Sequence, residues 1–127
     1  MKKYIITMIV GVLFASCVQE THTKKVTFFI DMNGVENVNS VGIRGNFLPN
    51  KWRETVPMSD EDKDGIYQIS FTEKTAAYGI AFKFVKNNNQ FELPGEGNRE
   101  LVFKYQPEVI EYKAIFNNNK HIKIDRK

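Results

Sequence analysis

From Val26 to its end, the chain is built of short runs that alternate apolar and polar residues. Each run is cut off by a cluster of Asn, Asp, Gly or Pro. A period of two sends every second side chain to one face, the signature of a strand half-buried against a core. Val26, Phe28, Ile30 and Met32 share one face before Asn33-Gly34. Val41 and Ile43 mark a second strand within Val38 to Gly45. Tyr67, Ile69 and Phe71 point inward from a third, over Ile66 to Thr72. Ile80, Phe82 and Phe84 mark a fourth, Phe91 to Leu93 a short fifth, Leu101 and Phe103 a sixth, and Ile110, Tyr112 and Phe116 a seventh. His121 to Lys127 reads as a last short strand or a frayed tail. Asn87-Asn88-Asn89 predicts a tight connection, because Asn tolerates positive φ. Apolar residues nowhere recur at three and four over a long window, and Thr72 to Tyr78 has room for a helical turn at most. Seven or so short strands with regular turn signals predict a β-sandwich.

At 127 residues the chain has room for one domain of ordinary size. Ten of its aromatic residues are Phe, enough apolar bulk for a packed core. The single Cys excludes a disulfide framework and a cysteine-type metal centre. The formal charge is +3, of which Lys2 and Lys3 supply two units, and the remaining lysines alternate with acids. Nucleic acid is therefore excluded as a partner, since it requires basic residues gathered on one face.

Residues 1–16 read as a leader. Met1-Lys2-Lys3 is a basic start, and Tyr4 to Phe14 is an apolar run of signal-peptide length, too short to span a bilayer. The string Leu13-Phe14-Ala15-Ser16-Cys17 resembles a bacterial lipobox, at which a leader is cut before a cysteine that receives lipid. An ordinary secretory signal with an incidental Cys is the alternative. The lipobox implies a chain tethered to a Gram-negative membrane by acyl groups on Cys17. Val18, where inner-membrane lipoproteins often carry Asp, points to the outer membrane. Residues 17–25 then read as a polar tether, and 26–127 as the folded domain.

Chemistry has few candidates. Both histidines, His22 and His121, fall in expected tails, which leaves a Ser or Cys nucleophile without a base. A domain of this size also has little room for an enclosed cleft around paired carboxylates. The chain is thus read as a non-enzyme, with no cofactor. Asp60, Asp62, Asp64 and Gly65 match the opening of a calcium loop. Its closing Glu should stand at residue 71, which is Phe71, so an ordinary acidic turn is the preferred reading and a metal site the weak one. Trp52, the only tryptophan, sits in a loop between Lys51 and Arg53. It serves either as a cap over the core or as a stacking platform for a sugar ring, whose C–H face suits an aromatic plane.

Trp52 also belongs to an ordered set. Val26 to Met32 is followed by Val41-Gly42-Ile43-Arg44-Gly45-Asn46-Phe47, Trp52 and Asp64-Gly65-Ile66-Tyr67. Then come Phe82-Lys83-Phe84-Val85, Phe91-Glu92 and Asn98-Arg99-Glu100-Leu101. From about Val26 to Phe103 this resembles the starch-binding modules of carbohydrate-binding module family 20 and the glycogen-binding modules of family 48. The resemblance implies an all-β, immunoglobulin-like β-sandwich of about seven to eight strands that binds α-glucan without catalysis. It implies stacking on Trp52 and on Phe91, which stands where the family has a second Trp. It implies hydroxyl contacts from Lys83, Glu92 and Asn98. Arg99 reads separately as a structural partner for a nearby acid. The expectation is an α-glucan-binding lipoprotein at the cell envelope. The alternative is a sandwich that has lost sugar binding and docks a protein partner, for instance through a sheet edge.

Overall fold

A computed structural model describes residues 19–127. The leader over residues 1–16 and the lipidation site at Cys17 lie outside the described residues. Nine strands follow in order: β1 (His22–Asp31), β2 (Val41–Gly45), β3 (Val56–Pro57), β4 (Ile66–Thr75), β5 (Gly79–Lys86), β6 (Gln90–Phe91), β7 (Arg99–Val102), β8 (Glu108–Ile115) and β9 (Asn118–Arg126). They form two sheets, one ordered β4-β1-β8-β9 and the other β3-β2-β5-β6, with β7 also paired to β5. β1 and β8 run parallel, and the other paired strands are antiparallel. The expected β-sandwich is the observed fold.

The alternating residues meet between the sheets. Phe28 is fully buried at the centre. Its ring centroid lies 4.8 Å from that of Phe82, and the rings of Phe47, Phe71, Phe84 and Tyr112 surround it. Most of these contacts are edge-to-face, the arrangement that aromatic quadrupoles favour. Asn87 and Asn88 have φ of 53° and 70°, as the turn after β5 requires. The Asn87 side chain accepts the N–H groups of Asn39 and Ser40 and donates to the Asn37 carbonyl, tying this turn to the loop before β2.

The strands depart from expectation where polar residues continue them. β1 starts at His22, so residues 22–25, read as tether, belong to the sheet. The cause is Lys24, which points inward and is 3% exposed. Its ammonium donates to the carbonyls of Lys104 and Gln106 and to Glu108 Oε2, at 2.9 Å in the last case. A lysine satisfied in this way occupies a core-facing position that a hydropathy pattern assigns to an apolar side chain. β4 likewise runs on to Thr75, with no helical turn, because its last four residues pair with His22 to Lys25. β9 is a full strand of nine residues, so both His22 and His121 sit in strands rather than tails. β3 was not foreseen; Pro57 limits it to two residues at the sheet edge.

Candidate functional site

The Phe91 ring and the Trp52 backbone both adjoin one arginine on the outer face of the second sheet. Val41 and Ile43 of β2 point into the core, so Arg44 points out. Its guanidinium is fixed in three directions: Nε donates to Thr55 Oγ1 at 2.7 Å, Nη1 to the Trp52 carbonyl at 3.0 Å, and Nη2 to the Asn88 carbonyl at 2.9 Å. The first two partners belong to the turn around Lys51–Arg53, a single 3-10 turn, and the third to the asparagine turn. The guanidinium carbon lies 5.1 Å from the centroid of the Phe91 ring, within cation–π range. Phe91 is 40% exposed, and Trp52 is half-buried. Gly42 lets the chain lie close to this face. A Cβ there would stand 2.3 Å from Thr55 Cγ2 and 2.7 Å from the Val56 carbonyl.

The other three candidates do not join this platform. Lys83 does leave the outer face of β5, but it is buried beneath the 93–97 loop, where Nζ donates to the Leu93 and Glu96 carbonyls at 2.9 and 3.0 Å. Glu92 is 0% exposed. Its Oε2 accepts from Phe84 N at 3.0 Å and Arg99 Nε at 2.6 Å, and its Oε1 from Arg99 Nη2 at 2.9 Å and Asn117 N at 3.2 Å. Four bonds fill a carboxylate's usual acceptor sites. The assignment of Lys83 and Glu92 to sugar hydroxyls is therefore corrected: one pins a loop, and the other anchors a buried ion pair. Asn98 is exposed, but it opens onto a hollow of about 510 Å³ shared with Glu96, Glu100, Asn119 and Ile122, away from Phe91.

Arg99 is the structural partner expected of it. Besides Glu92 it reaches the Ile115 and Asn118 carbonyls at 3.1 and 2.9 Å. Burial works to lower its pKa, but the hydrogen bonds and charge of Glu92 outweigh burial and raise it. Burial raises the pKa of the Tyr112 hydroxyl, and the neighbouring Arg99 offsets part of the rise.

The carboxylates of Asp60, Asp62 and Asp64 converge to within 4.8 Å. Asp60 accepts the N–H groups of Asp64 and Gly65, and Asp64 accepts that of Ile66. The Asp62 carboxyl is shifted upward from its ordinary value, chiefly by its hydrogen bond with Asp60. Phe71, at the place of a closing calcium ligand, packs into the core. These bonds are those of an acidic turn that closes on itself.

Arg44 is the residue the sequence reading passed over. Its signal was a charged residue at an outward strand position, flanked by Gly42 and Gly45 where loops cross the sheet.

No protein-family model matches the chain, and no curated protein matches it in sequence. Several solved structures match the chain, among them two that match along most of its length. The second family-25 carbohydrate-binding module of a β/α-amylase from Paenibacillus polymyxa is 17% identical, with a TM-score of 0.48, over 84% of this chain and 94% of that one. The first such module of the same enzyme is also 17% identical, with a TM-score of 0.46, over 83% and 93%. The likeness is to family 25, where the sequence resemblance named families 20 and 48.

Proposed function

We propose that this chain is a non-catalytic glycan-binding domain that takes α-glucan on the outer face of its second sheet. The observation that carries the reading is the exposed Phe91 ring, backed by the fixed Arg44 guanidinium and adjoined through it to the half-exposed Trp52 turn. A pyranose offers an apolar face to an aromatic plane, and its hydroxyls suit the exposed side chains of Arg53, Asn88, Asn89 and Gln90 around it. A shallow platform of this kind binds weakly, with Kd in about the micromolar to millimolar range. Acyl chains on Cys17 would hold many copies at the outer membrane and raise avidity.

The test is affinity electrophoresis through gels with and without amylopectin. Wild type should be retarded, and Trp52→Ala and Phe91→Ala should run free with folding intact. No retardation of wild type at high polysaccharide refutes the α-glucan reading. It would favour the alternative of a protein-docking module, for which the exposed Ile122 and Ile124 on edge strand β9 are the supporting observation.

A further inference from the structure

A second cleft lies where β1 begins, β4 ends and the 103–105 segment crosses between them. Its volume is about 370 Å³, at the low end of the range for small-ligand sites and too small for a long polymer. His22, Thr75, Ala77, Tyr78, Phe103 and Tyr105 line it. Tyr78 and Tyr105 are 84% and 72% exposed, the two most exposed large hydrophobic side chains among the described residues. The Phe103 N–H donates to the Tyr78 carbonyl at 2.7 Å, so the two tyrosine-bearing segments are locked together at this mouth.

His22 supplies the second, independent observation. Its Nε2 is the one buried side-chain polar atom without a hydrogen-bond partner among the described residues. The imidazole meets the Tyr105 ring edge-on, with centroids 4.6 Å apart and planes at 84°. A buried polar atom left unpaired destabilises the state that contains it. Tyr105, mostly in solvent, is the aromatic neighbour of this imidazole.

We propose that this cleft binds a single sugar ring, the end residue of a glycan, with a ring hydroxyl satisfying His22 Nε2. Tyr105 swings off the imidazole to admit it, and Tyr78 and Tyr105 flank its apolar face. An imidazole nitrogen pairs equally well with a hydroxyl as donor or acceptor, and two aromatic rings beside a polar atom form the mixed lining a pyranose needs. The open Phe91 platform suits the middle of a chain; this cleft suits its terminus. The ligand class rests on the glycan reading above, but the residues are separate.

The test is an NMR titration of the full chain with maltotriose and, in parallel, cellotriose. The Trp52 indole N–H reports the platform, and the His22 imidazole nitrogens report the cleft. The expected result is saturable movement of His22 Nε2, with affinity reduced at least tenfold in Tyr78→Ala and Tyr105→Ala while the Trp52 response is unchanged. Movement of Trp52 with a still His22 overturns the cleft and leaves the platform standing. Movement of His22 alone supports the cleft and overturns the platform. If neither moves with either sugar, both readings fall. Unchanged His22 affinity in both tyrosine variants also overturns the cleft. Tyr105→Phe, which keeps the ring, should bind within about twofold of wild type, separating loss of stacking from misfolding.

Discussion

Removing the Arg99 guanidinium would strand Glu92 as a charge with no counter-ion in the interior. Glu92 is fully buried and loses two charge-assisted bonds, of 2.6 and 2.9 Å, leaving only the Phe84 and Asn117 N–H groups. Breaking a buried pair on one side costs about 3–5 kcal/mol, against about 5–15 kcal/mol for a whole domain. At about 4–8 °C per kcal/mol in a domain near this size, Arg99→Met should lower Tm by about 12–40 °C. Urea unfolding followed by circular dichroism measures the loss. The double variant Glu92→Leu with Arg99→Met, which leaves no charge behind, should regain much of the loss. A loss below about 1 kcal/mol refutes the assignment of Glu92 to structure.

Phe91→Ala removes a side chain already 40% exposed, so it should cost little more than about 1 kcal/mol by urea unfolding while abolishing retardation by amylopectin. Gly42→Ala drives a methyl into Thr55 and the Val56 carbonyl; about 1–3 kcal/mol of destabilisation is expected, with a changed Trp52 fluorescence spectrum. Burial works to raise the pKa of Glu108, but its bonds to Lys24, the Lys104 N–H and Arg126 outweigh burial and hold it low. Its stabilising contribution is present above the unfolded pKa and fades as pH falls through the folded one, so Glu108→Gln should be less stable than wild type at pH 7 and lose less on acidification, by thermal melts at both pH values.

What could be read in the sequence was whatever obeys a period. Phe28, Phe82 and Phe84 declare their strands because apolar residues at alternate positions admit one packing. Lys24 hides four residues of β1, and β4 with them, because its partners lie eighty and more positions away and no local pattern holds them. The same blindness divided the candidate site. Phe91 was legible as an aromatic on a short edge strand. Lys83 and Glu92 looked like surface groups because charge usually faces water, and only the fold shows that the 93–97 loop and Arg99 cover them. Arg44 gave the opposite error: a charged residue at an outward position reads as ordinary surface until the Trp52 turn, the asparagine turn and Phe91 are seen to converge on it.

The placement of β1 bears on mechanics. Ten of its residues pair with β4 on one side and eight with β8 on the other, along the whole strand. A pull on the amino end of β1, in line with the strand, loads both ladders in shear, so many bonds resist together instead of opening one after another. The Lys24–Glu108–Arg126 cluster sits at the end where such a force would enter. Were the domain held between the proposed lipid anchor and a proposed polymer ligand, it would thus yield by releasing the ligand well before its own first strand tore out.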